Sequence, residues 1–230
     1  MTRSSQSHAP WISVFGDSIS TLKGYSEPPE AVFYEGAYQY EAGVFTPADT
    51  WWGQLIDRLG GQLLVNQSIS GSMVCKHRLC EAPTYGCSDE RTAALGRDGL
   101  SPDIILIFLG TNDWGYGVTP MPRHDGEAED LSVFSVAYRH MLDKLRRQYP
   151  AAELWCFTLP IGSCSSYPSF TFPYRYAGWH IDAYCDAIRD SAATFGCRLI
   201  DWRQSGVSHD TIDGFHPNAD GMRTLAETAL

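Results

Sequence analysis

Two short stretches limit what this chain can fold into. Residues 104–109 read Ile-Ile-Leu-Ile-Phe-Leu, and residues 155–159 read Trp-Cys-Phe-Thr-Leu. A strand with one face in water alternates apolar and polar side chains, so a run without alternation is covered on both faces. Runs this short suit buried strands better than buried helices. Strands of this kind belong to parallel sheets clothed by helices on either side. Weaker runs at 11–15, 63–65 and 197–201 join the fuller segments 103–109 and 153–159 to give five predicted strands. Helical spacing of apolar residues fills much of the space between them, at 50–59, 131–149, 179–195 and 221–230. The alternation of strand and helix predicts an α/β domain around a central parallel sheet of about five strands. Ligands on such sheets bind at the carboxyl ends of the strands.

The chain has 230 residues, 43% of them hydrophobic, which suits one domain spanning 11–230 behind a polar, flexible N-terminus at 1–10. Its formal net charge of −10 argues against nucleic acid or anionic lipid as a partner. No run approaches the ~18 apolar residues of a membrane span. The first ten residues carry no apolar signal core, and the seven cysteines are an odd number, so reduced thiols and a cytoplasmic location are expected. Asn66-Gln67-Ser68 matches a glycosylation sequon and is read as chance in that setting. Two segments, 23–49 and 75–99, lack a clear period and are expected to be loops or short helices over the site.

Chemistry collects just after the predicted strands. The first runs into Gly16-Asp17-Ser18. A serine there can be a nucleophile beside the unpaired amides of a helix start, or simply an N-cap. Asp17 is expected to brace that turn through its backbone. The second strand leads to a loop containing Gly71, where the backbone can approach a ligand closely. The third ends in Gly110-Thr111-Asn112-Asp113, in which Asn112 can donate to an oxyanion or merely shape a turn. Near the C-terminus, Asp213 and His216 are spaced so that a carboxylate can fix an imidazole tautomer, or are a capping Asp near an unrelated surface His.

Taken in this order, Gly16-Asp17-Ser18, the Gly71 loop, Gly110-Thr111-Asn112-Asp113 and Asp213-Gly214-Phe215-His216-Pro217 resemble the SGNH-hydrolase (GDSL-type) superfamily over residues 11–230. Ile19 stands where many members have Leu, and the long segment 114–130 departs from the shortest members. The resemblance implies a three-layer α/β/α sandwich of the flavodoxin-like SGNH type. It implies Ser18 as nucleophile, His216 as base and then acid, and Asp213 as its orienter. Ser18, Gly71 and Asn112 would form the oxyanion hole, with no metal or organic cofactor. The activity implied is that of a serine esterase working through an acyl-enzyme. Dense aromatics in the loops suggest a short-chain ester, an O-acetyl group on a carbohydrate, with Trp114 and Tyr116 lining the substrate site. A lipase, thioesterase or acyltransferase would use the same residues. A non-enzymatic binding protein on a flavodoxin-like sheet is the more distant alternative.

Two clusters compete with this assignment. Cys75, His77, Cys80 and Cys87 could in principle hold zinc, but they lack a paired C-x₂-C spacing and read as scattered thiols. His209-Asp210 is a second His/Asp pair, disfavoured because the resemblance implies an acid three residues before a His that is followed by Pro, as Asp213 and His216-Pro217 stand.

Overall fold

The runs at 104–109 and 155–159 lie side by side. A computed structural model describes residues 9–78 and 84–230. In it β3 (Ile104–Phe108) pairs with β4 (Glu153–Phe157), Leu106 opposite Trp155. On the other edge β3 pairs with β1 (Trp11–Gly16), with Ile12 opposite Ile104. The sheet is completed by β2 (Gln62–Asn66) beyond β1 and β6 (Arg198–Ile200) beyond β4. Its order is β2-β1-β3-β4-β6 and every pairing is parallel. Ile105 to Phe108 and Leu154 to Phe157 are buried throughout, as strands covered on both faces must be.

Helices supply the cover. On one side α2 (Trp51–Arg58) packs against α8 (Ala219–Glu227). On the other, α5 (Phe134–Gln148) packs against α6 (Ile181–Thr194) and α3 (Asp89–Ala93). Thr50 caps α2 by accepting from the Gly53 amide at 3.0 Å, and Asn218 caps α8 through Gly221 at 2.9 Å. Trp51 and Trp202 cross the sheet residues Phe108 and Phe157 edge to face, with centroids 5.0–5.7 Å apart for Trp51–Phe108, Trp51–Phe157 and Phe108–Trp202.

The segment 23–49 contains α1 (Gly36–Ala42) and a 3₁₀ turn at Pro47–Asp49, and 75–99 contains α3. Three features differ from the expectation. The segment 114–130 is not one loop: α4 (Thr111–Gly115) carries Trp114, and a 3₁₀ turn occupies Asp125–Glu127. A short α7 (Trp202–Ser205) follows β6. A second sheet of two parallel strands, β5 (Ile161–Ser163) and β7 (Ser208–Asp210), carries the segment leading to His216. These elements carry neither an apolar run nor a readable helical period, so nothing in the sequence announced them. Asn66, the sequon residue, is buried; its amide donates to Ser20 O at 2.9 Å. No helix among the described residues is long and apolar enough to cross a membrane.

Candidate active site

β1 delivers Ser18 to the carboxyl edge of the sheet. Asp17, fully buried, caps the 3₁₀ turn Ser18–Ser20 by accepting the Ile19 amide at 3.0 Å. Burial pushes its carboxyl up to about 7, against the pull of the Ile19 amide and of His216. The turn is fixed from behind. Trp52 Nε1 donates to Ser20 O at 3.0 Å, and Thr21 Oγ1 donates to Ser18 O at 2.8 Å.

His216 arrives from the other end of the chain. Its Nε2 lies 2.9 Å from Ser18 Oγ, and its Nδ1 lies 2.6 Å from Asp213 Oδ2. The other oxygen of Asp213 accepts the Phe215 and His216 amides at 2.9 and 2.8 Å, closing the turn that aims the ring. Burial would raise the Asp213 carboxyl, but these amides and the His216 ring outweigh it and hold it below the usual carboxylate range. A carboxylate on Nδ1 leaves the Nε2 lone pair to accept the Ser18 hydroxyl proton.

Asn112 sits in the first turn of α4. Gly110 makes that turn, at φ +126°, where a Cβ would lie 3.1 Å from the Phe134 ring. Asn112 Nδ2 donates to Ser72 O at 3.0 Å, and both Asn112 and Ser18 line a cavity of about 270 Å³ with His216. Its remaining walls are largely aromatic, from Trp114, Tyr116, Tyr176 and Phe215. Trp114 is buried and stacks on Phe172 at 5.4 Å, whereas Tyr116 and Tyr176 stand exposed at the mouth. Gly71 adopts φ +76° and is exposed beside Ser72; it does not line the cavity.

Three contributors were given no role in the sequence reading. Arg91 is 2% exposed. Its guanidinium donates to Gly16 O and Thr84 O at 3.0 Å each, and also to Gln67 O and Ser72 Oγ. It thereby ties the Ser18 turn to the Gly71 loop. Asp113 accepts the Val74 and Cys75 amides at 2.9 and 3.1 Å, anchoring the same loop to α4. Phe33 covers the His216 ring. A lone Arg or Phe in a segment without a period carries no spacing signal, so Arg91 and Phe33 could not be singled out, whereas Asp113 stands in the Gly110-Thr111-Asn112-Asp113 motif without having been given a role.

The competing clusters lie elsewhere. His209 is buried in β7, and burial pushes its imidazole down to about 4. Asp210 is occupied by Ser165 and by Asn218 Nδ2, the latter at 2.7 Å. Cys75 and Cys87 are buried thiols, Cys87 raised to about 11 by burial. Cys80 lies outside the described residues. Among the described residues no group of three or more His, Cys, Asp or Glu is placed to hold a metal ion.

Residues 10–159 match the family model of the GDSL-like lipase/acylhydrolases. No curated protein sequence matches the chain. Among solved structures, a GDSL-like protein from Bacteroides uniformis is 28% identical, with 96% of this chain and 93% of that one covered at a TM-score of 0.69. One from Bacteroides ovatus is 24% identical, with 96% of each chain covered and a TM-score of 0.71. A carbohydrate acetylesterase from Sinorhizobium meliloti shares the fold at 15% identity and a TM-score of 0.62, with 96% of each chain covered. The family match spans the serine turn, the Gly71 loop and the Asn112 helix on one uninterrupted stretch of sheet. The chain belongs to the GDSL-like lipase/acylhydrolase family.

Proposed function

We propose that the protein is a serine esterase that removes a short acyl group, acetyl above all, from a carbohydrate or similar polar alcohol. The observation that carries the reading is the relay from Asp213 through His216 to Ser18 Oγ, with contacts of 2.6 and 2.9 Å, opening on a 270 Å³ cavity. His216 Nε2 takes the Ser18 proton as Oγ attacks the ester carbonyl. The oxyanion is received by the Ser18 amide and by the Asn112 Nδ2 proton not committed to Ser72. His216 returns its proton to the leaving alcohol. Water, deprotonated by the same imidazole, then releases the acid from Ser18.

The short acyl group is supported by the space next to the cavity. Ile19, Trp114 and Phe215 also border a second cavity of about 10 Å³, too small to take an acyl chain. An extended chain has nowhere to go inward. The wider mouth between Tyr116 and Tyr176 offers ring faces to the alcohol half of the substrate, as flat sugar surfaces require. The fold accommodates such substrates, since the Sinorhizobium meliloti neighbour is a carbohydrate acetylesterase. The test is hydrolysis of p-nitrophenyl acetate, butyrate and octanoate by the wild type and Ser18→Ala. The reading expects acetate fastest, octanoate slowest and a folded but inactive variant. Turnover surviving in Ser18→Ala rules out the serine mechanism, and a preference for octanoate rules out the short acyl site.

A further inference from the structure

The His216 imidazole has a ring lying flat against it. The Phe33 centroid is 3.6 Å away and the two planes differ by 8°. Tyr38 continues the stack on Phe33 at 4.6 Å and 17°, while the Tyr34 ring meets Phe33 edge-on at 5.1 Å. These residues come from the irregular segment between β1 and α2, far in sequence from the His216 turn.

The backbone at Phe33 is held from both sides. Its amide donates to Thr21 Oγ1 at 2.9 Å, and the same hydroxyl donates to Ser18 O at 2.8 Å. The next residue, Tyr34, reaches the other way: its hydroxyl donates to Pro217 O at 2.8 Å, next to His216. Residues 33–34 therefore form a bridge with one end on the nucleophile turn and the other on the histidine turn. The two turns share no strand pairing. The His216 side chain has hydrogen bonds at two ring atoms, which leave it free to tilt about the line joining them. A ring at van der Waals distance across its face removes that freedom.

We propose that Phe33 is a positioning residue: its ring fixes the plane of the His216 imidazole against the Ser18 hydroxyl, and its π-face favours the imidazolium formed as Ser18 loses its proton. The proposal rests on the serine-esterase reading above. A cation over an aromatic face is stabilised by the ring quadrupole, so removing that face slows the step in which the His216 ring becomes charged. The charged and titratable groups around the imidazole are Asp213 on Nδ1, Asp17 beneath the nucleophile turn and the Tyr34 and Tyr38 phenols. Phe33→Leu leaves all of them in place.

The experiment measures the rate at which a fluorophosphonate labels Ser18, and kcat and KM for p-nitrophenyl acetate, each across pH 5–9. Wild type, Ser18→Ala, Phe33→Leu and Phe33→Tyr are compared. Phe33→Leu is expected to lose about tenfold in labelling rate and kcat, with KM within about twofold. Phe33→Tyr, which keeps the ring, should recover most of the rate. Unchanged labelling and kcat in Phe33→Leu overturn the proposal and leave the esterase reading standing. A wild type that is not labelled at Ser18 overturns that reading and this inference with it. Proton NMR of the unaltered protein is independent of how the variants fold. The His216 ring protons should resonate upfield of their usual positions because of the Phe33 ring current, and ordinary shifts would count against the stack.

Discussion

One of the two Nδ2 protons of Asn112 is already directed at Ser72 O, 3.0 Å away. That bond sets the amide plane, so the second proton points in a fixed direction rather than sampling several. Preorganisation of this kind makes a donor effective for charge that appears only in the transition state. Asn112→Ala should therefore lower kcat by about 10²–10³ with little change in KM. Steady-state kinetics on p-nitrophenyl acetate decide it, because an effect confined to KM would place Asn112 in substrate binding alone. The residues that motif reading selected, Ser18, Asn112, Asp213 and His216, are those whose chemistry demands a particular type at a particular strand end. Their convergence on one cavity was legible for that reason. Phe33 was not, because any flat ring could cover the imidazole and no neighbour in the sequence marks the one that does. Gly71 shows the reverse: its type was legible, since φ +76° favours glycine, yet it stands beside the cavity rather than in its wall.

Among the elements, those marked by an apolar run or a helical period were legible and those without one were not. The first strand, expected at 11–15, spans Trp11–Gly16, and the helix expected at 131–149 spans Phe134–Gln148. Burial enforces their patterns over many residues. The segment from Gln67 to Cys75 has no such pattern, and polar anchors supplied by distant elements hold it. Arg91 of α3 grips Gln67 O and Ser72 Oγ from one side. Asp113 of α4 holds the Val74 and Cys75 amides from the other. Replacing Arg91 by Met keeps much of the side-chain volume but leaves buried carbonyls, those of Gly16 and Gln67 among them, without this donor. Each unsatisfied buried group costs about 1–3 kcal/mol, so a loss of about 3 kcal/mol is expected. For a chain of this length that lowers Tm by about 10 °C. Activity measured well below the new Tm should also fall, because the Gly71 loop loses its tie to the nucleophile turn. A melting curve within 2 °C or so of wild type would show that the loop is held by other means.

Across the whole molecule, two buried groups, Asp17 in the Ser18 turn and His209 in β7, make stability depend on pH with opposite signs. Asp17 holds its proton up to about pH 7 in the folded chain, against an ordinary value of 3.8. Between those limits the native state binds a proton that the unfolded chain has released, so stability falls as pH rises. His209 loses its proton near pH 4 when folded, against an ordinary 6.5, because burial disfavours its charge. Over that interval the unfolded chain binds the extra proton, so stability rises with pH. Each effect is worth about 3–4 kcal/mol in full, and their windows overlap from about pH 4 to 6.5. The two therefore offset each other there, leaving Asp17 alone to act between 6.5 and 7. Single variants expose what the wild type conceals. Relative to wild type, Asp17→Asn should gain stability as pH is raised from 4.5 to 7.5, because the penalty for the buried carboxylate is gone. His209→Gln should instead gain stability as pH is lowered from 6.5 to 4.5, because no buried imidazole has to stay neutral. Differences from wild type cancel the contribution of every other titrating group, provided the sites are independent. Thermal melts at intervals of one pH unit measure both slopes. Curves parallel to wild type for Asp17→Asn would mean that the carboxyl beneath the nucleophile is charged throughout. Its unpaired Oδ2 would then be a carboxylate oxygen held without a donor, rather than the site of the proton that burial retains.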